Sequence, residues 1–83
     1  MAGSDESISE NIVRRASVGE RVAQRELYEH FRDQIFRLVL HFVGESDADD
    51  VTQECFLKVF AKLNTFRFES RFSTWLHRLV VNE

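Results

Sequence analysis

From Leu27 to Phe42 the apolar side chains Leu27, Phe31, Ile35, Leu38 and Phe42 recur at steps of 4, 4, 3 and 4, and the chain contains no Pro. That spacing returns each residue to one side of an α-helix, because ~3.6 residues complete a turn. Tyr28, Phe36 and Val39 widen the stripe, and nothing elsewhere alternates with the two-residue period of a strand. The pattern predicts an all-α domain, a compact bundle of about four helices.

Caps and breakers divide the pattern. Ser7-Ile8-Ser9-Glu10 has the capping-box form and precedes Ile12 and Ala16, with Gly19 placed to end that short first helix. The main core helix then runs from about Glu20 to Gly44. Ser46 is expected to cap a third helix, with Asp47, Asp49 and Asp50 complementing the positive end of its dipole. Ala48, Val51, Cys55, Val59 and Leu63 are its expected buried side. A loop over residues 64–72 follows, and Ser73 is the expected N-cap of a last helix beginning Thr74-Trp75-Leu76, with Leu76, Leu79 and Val80 inward. One core is expected to gather Leu27, Phe31, Ile35, Leu38, Phe42, Val51, Val59 and Leu76. The acidic residues 1–7 read as a disordered tail and 8–83 as one folded domain. The last helix is still apolar at Glu83 and has no C-cap, so the natural protein is expected to continue.

A chain of 83 residues supports a single small core, burying only about 60% of its unfolded surface. Its 43% hydrophobic content, eight Phe included, is enough for that core. No stretch approaches the ~20 apolar residues of a membrane span, and the N-terminus lacks the basic start and apolar run of a secretory signal. A cytoplasmic location is expected. Cys55 stands alone, which excludes an internal disulfide and fits a reducing compartment.

Charge is unevenly placed. Residues 1–57 carry six Arg against twelve Asp and Glu, a balance of −6, whereas residues 58–83 carry five Lys and Arg against two Glu, a balance of +3. The cationic third contains FRFESRFSTWLHRLVVN, residues 66–82, in which three Phe and a Trp alternate with Arg67, Arg71 and Arg78. Two readings fit that segment. Aromatics at helical spacing build a core with solvated charges around it. The same residues also suit unpaired nucleic acid, since phosphates call for cations and exposed bases for flat apolar faces.

Catalysis finds little support. His30, His41 and His77 show no paired metal-ligand spacing, and with Cys55 they make no zinc set. The three Gly are isolated, so no loop cradles a nucleotide phosphate. Asp47, Asp49 and Asp50 are accounted for by the helix dipole. No cofactor, metal or enzymatic activity is expected.

The blocks ELYEHFRDQIFRLVLHFVG, DADDVTQECFLKVFAKLNTF and STWLHRLVVN, in this order and at this separation, resemble region 2 of a bacterial sigma-70-type initiation factor, specifically the extracytoplasmic-function (ECF) group. The resemblance runs from about Ala23 to Asn82, with two small departures: Cys55 stands where a small aliphatic is common and His77 where an aromatic is common. It implies that the third helix docks on the coiled coil of the largest subunit of core RNA polymerase. Asp50, Gln53, Glu54 and Leu57, rotated away from Val51, Cys55 and Val59, are then the docking stripe; without the resemblance they read as an ordinary solvated face.

The resemblance also makes residues 66–75 a promoter-melting loop and the start of a helix that reads the −10 element, chiefly on the non-template strand. Phe68 is the expected exposed aromatic and Phe72 an inward one. Arg67 and Arg71 face phosphates, Ser73 and Thr74 add hydroxyls and helix-terminal amides, Trp75 faces either core or DNA, and Arg78 and Asn82 share the Thr74 row. A second, −35-reading domain accompanies such a region in the family and is absent from this sequence. The alternative is a sigma-like module that only binds protein, regulating polymerase or held by an anti-sigma factor.

Overall fold

The computed structural model describes residues 9–82 and, among these, contains helices and no strand: α1 (Glu10–Ser17), α2 (Arg21–Val43), α3 (Glu45–Lys62), a short 3-10 turn (Leu63–Thr65) and α4 (Phe72–Val81). The all-α expectation holds. Residues 1–7, expected as a tail, and the Ser7-Ile8 half of the capping box lie outside the described residues. Ser9 caps α1: its hydroxyl oxygen accepts the Ile12 N–H at 3.2 Å, satisfying one of the helix's orphan donors.

Val13 and Ala16 of α1 are buried, and Gly19, at φ 95°, turns the chain into α2. The turn is clamped from both sides. Arg15 Nε donates to Glu20 Oε1 at 2.6 Å, and Gln24 Nε2 donates to the Ala16 carbonyl at 3.1 Å.

The buried row of α2 is Ala23, Leu27, Phe31, Ile35 and Val39. Leu27, Phe31 and Ile35 stand where the sequence placed them, but the row continues by a further step of four to Val39 instead of through Leu38 to Phe42. Leu38 is only half-buried, and Phe42 is 62% exposed. Pure four-residue steps form a ridge inclined to the helix axis, the kind of row that packs against crossing neighbours. Phe42 lies past the end of that ridge, where the described residues leave most of it uncovered.

Gly44, at φ 83° and ψ 173°, makes the α2–α3 corner in one residue, and its N–H bonds the Leu40 carbonyl at 3.0 Å. The third helix therefore begins at Glu45, and Ser46 is a residue of its first turn, not the N-cap. Its buried residues are Ala48, Thr52, Phe56 and Val59, with Val51 and Cys55 only half-buried. Reading Val51 and Cys55 as the inward pair placed the helix one residue out of rotation. A Phe ring carries far more apolar area than a Cys side chain, so the helix turns to bury Phe56, which meets Tyr28 edge-on at 4.9 Å.

Leu63 closes the core below α3, and α4 adds Phe72 and Leu76 as buried residues. Leu79 and Val80 are half-buried and pack against the core. Ser73 is the expected N-cap of a helix beginning at Thr74, but the helix starts two residues earlier, at Phe72. Arg71 is the cap, its carbonyl accepting from the amides of Thr74 at 3.1 Å and Trp75 at 3.2 Å. Phe72, the first residue of the helix, seats its ring against Phe31 with centroids 5.4 Å apart.

Candidate nucleic-acid interface

Five aromatic rings organise the cationic third of the chain. Phe66 and Phe72 are buried; Phe66 lies 5.6 Å from Phe72 and 5.3 Å from Trp75, and Phe72 lies 5.6 Å from Trp75. Phe31 supports Phe72 from below. These contacts fix the ends of the irregular segment 66–71 on the core, so the residues between them are held by both flanks.

Phe68 is the half-buried aromatic of that segment and the non-glycine residue with positive φ, 61°, among the described residues. Its ring leans on Phe66 at a centroid distance of 4.6 Å, and the Arg14 guanidinium carbon of α1 sits 4.2 Å from its centroid on a different element. Phe68, the expected exposed aromatic, is only half-buried, while Phe72 is buried as expected. Its support by Arg14 was not foreseen, and no local sequence signal pairs residues so far apart. Arg67, Glu69, Ser70 and Arg71 around it are all exposed.

The exposed row of α4 is also assembled. Ser73, Thr74, His77 and Arg78 line one shallow hollow of about 420 Å³ together with Gln34 of α2. Trp75, Arg78, Leu79 and Asn82 line a second of about 240 Å³. Arg78 forms the wall between them, so the predicted Thr74, Arg78 and Asn82 row exists as a continuous strip with Trp75 at its apolar edge. Trp75 is half-buried, both packed on Phe66 and Phe72 and open to the second hollow. Gln34 was missed because a lone polar residue on a long helix carries no signal of its own.

Across the domain, Asp50, Gln53, Glu54 and Leu57 are all exposed along α3, and Leu57 is 70% exposed among them. Glu54 also walls a hollow of about 340 Å³ whose apolar lining includes Phe42, Val43, Val51, Cys55 and Val81. Phe42, misplaced in the core by sequence, belongs to this surface. Val80 and Val81 of α4 line it too, whereas Arg78 faces the other hollows. At about 100° per residue, Arg78 and Val80 stand on well-separated sides of one helix. The domain thus presents two distinct faces, one apolar and acidic on α2–α3, the other polar, cationic and aromatic on the loop and α4.

A family model for sigma-70 region 2 matches residues 27–83, most of the chain. The chain belongs to the sigma-70 region 2 family. This region 2 domain is 35% identical over 71 residues to the ECF RNA polymerase sigma-E factor of Haemophilus influenzae, an alignment covering 86% of the chain and 38% of that protein. It is 34% identical over 79 residues to the corresponding factors of Escherichia coli K12 and Salmonella typhimurium LT2, covering 95% of the chain and 41% of each. It therefore spans about two-fifths of the length of these relatives. Among the described residues of this region 2 domain, no helix is long and apolar enough to cross a membrane, and no group of three or more His, Cys, Asp or Glu is placed to hold a metal ion.

Proposed function

We propose that this region 2 domain works in the bacterial cytoplasm as the part of an ECF sigma factor that binds core RNA polymerase and holds the −10 element of a promoter, without catalytic chemistry of its own. The observation that carries the reading is the separation of two faces on one small fold, each with the chemistry its partner requires.

The α3 stripe meets polymerase. Leu57 supplies an exposed apolar anchor, Asp50 and Glu54 supply charge against a basic helix pair such as the coiled coil of the largest subunit, and Gln53 adds hydrogen-bonding capacity. The neighbouring apolar hollow widens the surface that a helix can cover. An anti-sigma factor that competed for the same stripe would silence the domain by occupying it.

The opposite face meets DNA. Unstacking bases costs a few kcal/mol per step, and a factor that melts a promoter recovers part of this by stacking and hydrogen-bonding the freed non-template bases. Phe68 offers the ring, Arg67 and Arg71 neutralise phosphates, and Ser73 and Thr74 lie beside them at the start of α4. Arg78 and Asn82, with Trp75 at their apolar edge, form the strip that reads base edges. A purely protein-binding role gives no reason for a Phe in a positive-φ conformation at the tip of a cationic loop.

Two variants test the faces separately. Reversing Asp50 and Glu54 to Lys should lower capture of core polymerase at least tenfold while leaving the thermal midpoint within a few degrees, because both side chains are exposed. The triple variant Phe68→Ala, Arg71→Ala, Asn82→Ala should keep polymerase binding and lose promoter opening. Wild-type opening by the triple variant would remove the DNA assignment and leave a protein-binding module.

A further inference from the structure

The first helix carries two adjacent cations with different fates. Arg15 is tied to Glu20, whose hydrogen bond holds the guanidinium pKa above its already high ordinary value. Arg14 has only a 3.9 Å approach to Glu10 one turn back, and its side chain remains 60% exposed. Its guanidinium instead lies over Phe68. A guanidinium is planar and cationic, and with its side chain 60% exposed this one keeps surface open to solvent while it touches the ring. Bases stack on Arg planes as they do on aromatic rings, and the charge is placed to meet the adjoining phosphate.

We propose that Arg14 belongs to the strand-holding surface: it braces Phe68 in its positive-φ conformation and offers an unpaired base a second stacking platform, continuing the line Phe66, Phe68, Arg14 outward from the core. The inference rests on the DNA reading of the loop and extends it to α1, a helix that lies outside the span of the region 2 match. Its ligand is a single-stranded base with its 5′ or 3′ phosphate. The base then meets the exposed part of the Arg14 guanidinium next to Phe68, so the contact between Arg14 and the ring is kept and the guanidinium need not swing away.

The test uses this chain bound to core polymerase and a fluorescent non-template −10 oligonucleotide, in versions with all bases intact or with single abasic sugars. Arg14→Ala should weaken binding about tenfold, and one abasic position should abolish the difference between wild type and variant. Arg14→Lys should restore the salt dependence but not the affinity, since an ammonium carries the charge without a flat face. Arg25→Ala, which removes an exposed cation on α2, controls for net charge and should bind as wild type. Unchanged affinity in Arg14→Ala, or full rescue by Arg14→Lys, would overturn the stacking role. Tighter binding by Arg14→Ala would overturn it differently, making Arg14 a lid over Phe68. Phe68→Ala separates the levels: if it binds weakly while Arg14→Ala does not, only this inference fails, and if neither change matters, the DNA reading of the loop fails with it.

Discussion

The backbone enters the positive-φ region at Gly19, at the α2–α3 corner and in the loop before α4, and the last two places solve the problem in opposite ways. At the corner the residue is Gly44, with φ 83°, and an added Cβ would find no atom within 4 Å. The cost of the turn is avoided by leaving out the side chain. In the loop the residue is Phe68, with φ 61°, where an L side chain costs about 1–2 kcal/mol. A fold that needed only a turn there would be better served by glycine. The ring is retained against the backbone's preference and is braced by Phe66 and Arg14. On the proposed reading the corner belongs to architecture and the loop to binding, and strain distinguishes them where exposure alone does not.

The sharpest way to break that contrast is to remove the ring. Stacking one base is worth about 1–3 kcal/mol, so Phe68→Ala should cost roughly ten- to hundredfold in single-strand affinity or open-complex formation, measured by anisotropy or transcription from a −10 template. Near-wild-type affinity would mean the ring serves packing only. At the corner the expectation inverts. Gly44→Ala should destabilise the domain by about 1–3 kcal/mol through backbone strain alone, visible in the urea midpoint. The affinity of the folded variant for the oligonucleotide should not change. A loss of DNA binding in that folded variant would show the corner to be coupled to the loop, and the division between them would fail.

A finer comparison exchanges the two solutions. Phe68→Gly and Phe68→Ala both delete the ring, but glycine is at ease at φ 61°. The glycine variant should therefore be more stable than the alanine variant by about 1 kcal/mol, while both bind DNA equally poorly. Equal stabilities would show that the Phe68 backbone relaxes once the ring is gone. The strain would then be a property of the stack and not of the chain path.

The parts of this arrangement that were legible in the sequence are those set by neighbours within a turn or two. Leu27, Phe31 and Ile35 announced a buried face, Gly19 and Gly44 announced breaks, and Asp50, Gln53, Glu54 and Leu57 announced an outward one, because helical period alone decides such questions. What was illegible depended on neighbours far away in the chain. Phe42 sits at a plausible helical step from Leu38, yet its burial depends on whether another element covers that end of α2. Phe56 displaced Cys55 from the inward face because Tyr28, on a different helix, had a ring to receive it. Ser46 and Ser73 have the chemistry of caps, but corners at Gly44 and Arg71 start each helix before the serine can act. For the face proposed to hold the strand, the α4 row was readable from spacing, whereas Gln34 and Arg14 approach it from elements that precede it by tens of residues.

Thr52 extends the contrast between Gly44 and Phe68 to a chemical form of strain. It is buried in α3 among the core residues, and its hydroxyl has no hydrogen-bond partner among the described residues. An unpaired buried hydroxyl costs about 1–3 kcal/mol, and valine has the same shape and a similar helix propensity. Thr52→Val should therefore raise stability by up to about 1 kcal/mol, read as an increase in the denaturant midpoint at constant slope. The criterion that separates Phe68 from Gly44 then applies again. If the valine variant is more stable and captures core polymerase as well as wild type, the hydroxyl is an architectural defect in the helix beneath the α3 stripe. If it is more stable but captures polymerase less well, the unpaired hydroxyl is held for binding, as the Phe68 ring is proposed to be. A valine variant less stable than wild type would mean that the hydroxyl finds a partner in solution, and Thr52 would leave the comparison altogether.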